Sequence, residues 1–523
     1  MIAHKYLVAA TLAVSSLCGC GDIADTFSEW TQGGEKRYVG ETENFQLKSG
    51  WNRLIASWDA PVDPAITKVK VKWTDDSEHS DSVLVDKDVT SYNITGLSNS
   101  SYSVTLTAVS AEGNESLSQT LYARPYTESH EVIQSFSRVI SSYYYIGDRL
   151  VLKFLGWQDG LTNAVLKYTK KDGEADSLVI TQSMAEGNDL FWDYFSKCPY
   201  KVLDEPVDKT KPICLYRTGR VSGCEDLINF PVFELTPKKT FSSDFKEALK
   251  RVYGLGSSVL DADGSVKDSW ADNVTTLSID DNLTNFDDLL NLPKLKKLVL
   301  GAHRYLTDEG INDTERGQLN VAEKINSVFA LNTLNALNGL TVERYNKHFK
   351  SLELFDETLP YITEMGKPKM PNYKFYDIKN ASIKVSPADE SGYNSHPEYL
   401  LDGNAESCWL PLNSQSSVDY TITVDLKSEK TMSGIELVQK NFGKYDQDYD
   451  YAVNKVEVLT AGNSGIFETA TNLSEVYMGT SAGETNIIPF SSTRKVRYVQ
   501  VKFPANAYHG FFAVTFAGLG FYE

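Results

Sequence analysis

Histidine and cysteine are scarce in this chain, cationic residues are outnumbered, and long apolar runs are missing beyond the first twenty positions. The histidines, His4, His79, His130, His303, His348, His396 and His509, are scattered and form no His–Glu–x–x–His pair, so a zincin-type centre is not encoded. No P-loop occurs, and a Gly–x–Ser–x–Gly nucleophile elbow is not expected. Carboxylates are plentiful, but those at Asp287–Asp288 or Asp446–Gln447–Asp448 read as solvated loop acids. Nothing holds two of them the ~5–10 Å apart that a glycosidase requires. The chain therefore reads as a non-enzyme. Apart from Cys18 and Cys20, the cysteines are Cys198, Cys214, Cys224 and Cys408. An oxidising compartment would permit a pairing among the first three, with connectivity open, and their spacing does not suggest zinc.

What is present is acidic and rich in tyrosine. The formal charge is −19, which argues against nucleic acid and anionic lipid as partners. The 29 tyrosines suit β-rich domains and surfaces that recognise neutral ligands. At 523 residues the chain should form several domains.

The N-terminus has its own logic. Lys5 precedes an apolar stretch from Tyr6 to Leu17, long enough for a signal-peptide core and too short to span a bilayer. Leu17–Cys18–Gly19–Cys20 resembles a bacterial lipobox, which implies cleavage after residue 19 and lipidation of Cys20. Residues 20–37, acidic and without apolar periodicity, read as a tether. The expected location is the outer membrane, lipid-anchored and displayed at the cell surface.

Residues 38–126 alternate in short strands separated by turn residues. Trp58, the Leu97–x4–Tyr102 corner and the Ala111–Ser116 turn resemble a fibronectin type III domain, which implies that Trp58 and Tyr102 pack between two sheets. Tyr38–Val39–Gly40, Gly50–Trp51–Asn52–Arg53, Trp58 to Pro64 and Val71–Lys72–Trp73 also resemble an uncharacterised family of Bacteroidetes lipoproteins, over roughly 38–235. A second β-sandwich is expected over 127–236. Residues 237–378 change character: a helix is predicted from Ser242 to Tyr253, capped by Ser242 or Ser243. Leu277 and Leu298 head two echoing segments at a leucine-rich-repeat period, so a mixed α/β spacer with two such turns is expected.

Residues 379–523 carry the functional signal. Leu400–Leu401–Asp402–Gly403–Asn404, Ser407, Trp409, the strand Tyr420–Leu426, then Gly434–Leu437, Val453–Val458, Val496–Phe503 and Phe516–Tyr522 resemble a discoidin domain. This is the factor V/VIII type C fold shared with family-32 carbohydrate-binding modules. The resemblance implies a jelly roll, galactose-binding-like, whose loops at one end meet sugar. Aromatic faces cover the apolar side of a pyranose while amides and imidazole bond its hydroxyls. The candidates are Tyr393, His396, Asn441, Tyr445, Tyr508, His509 and Phe511, whereas Trp409 is a packing residue in the family. A structural Ca2+ is implied near Asp402, Asn404 and Ser407, but Gly518 stands where relatives carry a glutamate, and the site should be weakened or lost. Gln439–Lys440 replaces an arginine of galactose-binding relatives, so the sugar does not carry over.

The expected fold is mainly β and multi-domain: two sandwiches, a leucine-rich-repeat-like region and a C-terminal jelly roll. The expected function is non-catalytic glycan binding, in polysaccharide capture beside outer-membrane uptake proteins. Adhesion to a host or matrix protein and a structural envelope role are the alternatives.

Overall fold

The computed structural model describes residues 39–187, 197–236, 238–313, 316–353, 358–387, 396–409, 419–441, 452–503 and 516–523. The expected leader, tether and Cys20 lie outside them. The chain is mainly β and divides into two compact units. One is built on the segment up to Phe136 together with Gly160–Thr162 and Arg217–Pro231, and the other on the remainder.

In the first unit a three-stranded antiparallel sheet (Gln46–Gly50, Arg53–Ser57, Ser91–Thr95) faces a four-stranded one (Ser80–Asp86, Ile66–Asp75, Tyr102–Ser110, Gln119–Ala123). Alternation sets the faces: Leu54 and Ala56 point inward from one sheet and Val69 and Val71 from the other. Trp58 is buried between them, and the Tyr102 hydroxyl accepts the Ser98 N–H at 3.1 Å, closing the corner. Trp73 is half-buried and stacks on Tyr92, with centroids 6.3 Å apart.

The second unit opens with the antiparallel strands Ile140–Ile146, Arg149–Phe154 and Tyr200–Val202. The hairpin Leu161–Thr169/Ala175–Val179 turns at Gly173, whose φ of +94° needs a residue without Cβ. Next comes the predicted helix, Ser243–Tyr253, with the Ser242 hydroxyl accepting the Phe245 N–H.

The repeat region exceeds the sequence expectation of two turns. Four parallel strands line up: Thr276–Ile279, Lys297–Leu300, Thr341–Tyr345 and Ile362–Gly366. Leu277, Leu298, Val342 and Ile362 form one buried row across them. The chain returns between strands through a 3-10 turn, Asp287–Asn291, and a helix, Lys324–Asn338. That helix occupies the span in which a further repeat would have to show its period.

The last region is a two-sheet frame in which two 19-residue strands, Tyr420–Val438 and Thr485–Phe503, serve both sheets. Tyr420–Asp425 pairs with Tyr498–Phe503, the register shifts, and Gly434–Val438 pairs with Thr485–Pro489. Ser382–Ser386 and Lys455–Ala461 flank the first half, and Gly518–Tyr522 flanks the second. Trp409, Tyr420, Phe503 and Phe516 fill the space between sheets. The Trp409 ring meets Tyr420 edge-on at 5.6 Å, so it packs the core.

Candidate functional site

The described part of the candidate surface begins at His396. Pro397 starts a 3-10 turn, Pro397–Leu401, because its fixed φ suits a first helical position. That turn sets His396 and Tyr399 side by side, rings 4.8 Å apart, with Tyr399 more than a third exposed. The His396 Nδ1 lies 2.9 Å from the Glu398 carboxylate. A hydrogen bond from Glu398's own N–H, and then His396, hold that carboxyl below its ordinary range. Tyr399 escaped the sequence reading; a Pro-initiated 3-10 turn with His and Tyr three apart was the signal available.

Asp402, Asn404 and Ser407 form a closed turn around Gly403, which takes a φ of +72°. Asp402 accepts the Asn404 N–H at 2.7 Å and the Ser407 hydroxyl at 2.6 Å, and Asn404 Oδ1 accepts the Glu406 N–H at 3.1 Å. The side chains that the resemblance assigns to calcium are thus engaged in holding the turn. Among the described residues no three His, Cys, Asp or Glu side chains converge on a metal position.

Beside this turn runs a groove of about 340 Å³, floored by Glu436, Val438, Gly518 and Gly520. Glu436 faces Gly520 and Val438 faces Gly518 across the strand pair, so all four share one face. Burial pushes the Glu436 carboxyl upward. A Cβ on Gly520 would stand 2.7 Å from its Oε2, whereas one on Gly518 would meet only Val438 at ordinary contact. The carboxylate on this face therefore comes from the neighbouring strand.

Asn441 has a different setting from the free loop expected of it. Its amide oxygen is buried beside Gly483, whose other close neighbour is Thr307 of the repeat region. Around it the repeat region and the discoidin-like frame join. Tyr305 pairs with Thr485, and the Thr307 hydroxyl donates to the Ala482 carbonyl at 2.8 Å. Arg304 grips the buried Glu484 with two nitrogens, Nη2 at 2.9 Å and Nε closer still. Gln439, which with Lys440 stands where the resemblance expects an arginine, is fully buried and donates to the carbonyls of Val453 (2.7 Å) and Gly479 (2.9 Å), so it braces the frame from inside.

A Gly–x–Ser–x–Gly spacing does occur, from Gly479 to Gly483, against the sequence expectation. The structure removes it from catalysis: Ser481 is fully buried and its turn leads into a strand, not the helix an elbow requires. Asp287 and Asp288 are likewise buried, not solvated. Asp287 accepts the Tyr200 hydroxyl at 2.7 Å and the Lys153 ammonium at 2.5 Å, and Asp288 accepts the Ser242 N–H at 3.0 Å. Cys198, Cys214, Cys224 and Cys408 are free thiols, and burial pushes Cys198 up to about 12. Tyr393, Tyr445, Tyr508, His509 and Phe511 lie outside the described residues.

Two family models match parts of the chain: a domain of unknown function, DUF4998, over residues 20–202, and the F5/8 type C domain over residues 382–515. No curated protein matches. Among solved structures, the Clostridium perfringens module CBM32-5, in complex with GalNAc-β-1,3-galactose, is 14% identical. It covers 29% of this chain and 100% of its own, with a TM-score of 0.24. The family 32 module of C. perfringens NanJ, in complex with galactose, is 16% identical over 28% of this chain and 98% of its own, TM-score 0.24. Chitosan-binding module 1 of a Paenibacillus sp. IK-5 chitosanase/glucanase is 18% identical over 28% and 97%, TM-score 0.21. The C-terminal region of this chain is thus an F5/8 type C, discoidin-like fold joined to a region similar to a domain of unknown function.

Proposed function

We propose that this chain is a non-catalytic glycan-binding lipoprotein, anchored to the outer membrane through Cys20 and displayed at the cell surface, where its discoidin-like domain captures polysaccharide beside an uptake system. The observation that carries the reading is the F5/8 type C match over residues 382–515 on a rigid two-sheet frame. The loops it presents are rich in the groups that meet sugars. His396 and Tyr399 supply a ring pair, and Tyr393, Tyr445, Tyr508, His509 and Phe511 add aromatic and imidazole groups in sequence. Binding rests on ring stacking and hydroxyl hydrogen bonds, and display of many copies raises a modest single-site affinity.

The test is a glycan array read with the full-length chain and with a Tyr508→Ala/Phe511→Ala variant. The expected result is saturable binding to one sugar class, reduced at least tenfold in a folded variant. Silence across the array from folded protein, with binding to matrix proteins instead, would replace glycan capture by adhesion.

A further inference from the structure

A second cavity lies away from the discoidin-like domain, on elements the glycan reading does not use. It measures about 480 Å³, within the ~300–1,000 Å³ span of small-molecule sites. One wall carries Tyr143 and Tyr145, which share a face of the strand Ile140–Ile146, while Tyr144 between them turns into the core. Facing it are four lysines, Lys209, Lys238, Lys239 and Lys294, against a single lining carboxylate, Asp272. That balance reverses the chain as a whole, where 70 acidic residues outnumber 51 basic ones.

The charges are unevenly satisfied. Lys239 is paired with Asp272, and Lys209 lies 3.7 Å from Asp148, which also holds Lys171. Lys294 reaches only a neutral amide, Asn273 Oδ1, at 2.8 Å, and Lys238 has no ion pair among the described residues. Two exposed ammonium groups therefore line the same cavity as the tyrosines with no carboxylate to neutralise them among the described residues. The wall is fixed: the Tyr143 hydroxyl donates to the Thr236 carbonyl, two residues before Lys238, and Lys209 sits 5.5 Å over the Tyr145 ring. At the back, Asn291 is buried with its amide held by the Thr240 carbonyl at 2.6 Å.

We infer that this pocket binds an acidic saccharide, its ring face against the tyrosines and its anionic substituent between Lys238 and Lys294. A tyrosine face takes the apolar side of a sugar ring, and ammonium groups take a carboxylate or a sulfate. A neutral sugar would leave both lysines without a partner, so the pocket discriminates by charge. The site takes its ligand whether or not the discoidin-like domain binds glycan.

The experiment is titration calorimetry on the full-length chain with three probes: digalacturonic acid, a sulfated galactose disaccharide from carrageenan, and neutral galactobiose. The expected result is saturable binding of at least one acidic probe, and which one binds identifies the anion as carboxylate or sulfate. Affinity should fall at least tenfold in Lys238→Gln/Lys294→Gln, persist in Lys238→Arg/Lys294→Arg, and weaken steeply between 0.05 and 0.5 M salt, as ~10 Å screening at 0.1 M shortens further. Both lysines are exposed, so the variants should fold, which circular dichroism checks. The inference is overturned if neither acidic probe binds folded protein, if galactobiose binds equally well, or if the glutamine variant binds as tightly as the parent.

Discussion

At the residue scale, His348 is a tightly held side chain. It is fully buried, its Nδ1 accepts the Leu319 N–H at 3.1 Å, and a Cβ on Gly301 would lie 2.0 Å from its ring. Burial, with Arg304 and Arg344 nearby, pushes its pKa from 6.5 down to about 3. Between those values the unfolded chain binds the proton and the folded chain does not, so stability is complete above about 6.5 and is lost as pH falls toward 3. Asp288 acts in the opposite sense. Burial raises it from 3.8 to about 6, so its contribution is full at low pH and is lost as pH rises through 6. The histidine gap is the wider, but at pH 4.5 the two contributions largely offset one another. The readout is therefore a difference: between pH 7 and pH 4.5, urea unfolding should show the parent losing about 2 kcal/mol more than His348→Asn. Equal pH dependence in the two proteins would show that the imidazole is not held neutral.

At the element scale, the parallel row Leu277, Leu298, Val342 and Ile362 carries the repeat region. Leu298→Ala should destabilise by about 3 kcal/mol, because it removes buried methyls and leaves a cavity, whereas Val299→Ala on the half-buried face should cost under ~1 kcal/mol. Chemical denaturation of the two variants separates these outcomes, and similar small losses would mean that the row is not the core. The row also shows what could be read in advance. Leu277 and Leu298 announced themselves because 21 residues of repeat pattern separate them. Val342 and Ile362 did not, because the helix Lys324–Asn338 interrupts the period and β-branched residues replace leucine. The discoidin-like frame was legible because Asp402, Trp409 and Tyr420 stand close together in an ordered motif. The burial of Gln439 and of the Asn441 amide oxygen was not legible, since it depends on partners that no local pattern specifies.

At the scale of the whole molecule, the second unit is one body because the repeat region completes the wall of its neighbour. Glu484 is 1% exposed, and its carboxylate is held by Arg304 from 180 residues away and by the Ser481 N–H at 3.0 Å. Removing one partner of such a pair strands a buried charge. Arg304→Ala should therefore cost about 3–5 kcal/mol, while Arg304→Met/Glu484→Met should recover much of it. Thermal and urea unfolding of both variants decide the matter, and a loss below ~1 kcal/mol for Arg304→Ala would mean that the seam is solvated. The same seam bears on how such a protein can change over generations. A domain that passes between genes as a cassette has to bring a finished exterior with it. The discoidin-like domain has left part of its exterior to the preceding repeats, so a recombination break near residue 379 would deliver a domain with an unneutralised carboxylate in its flank.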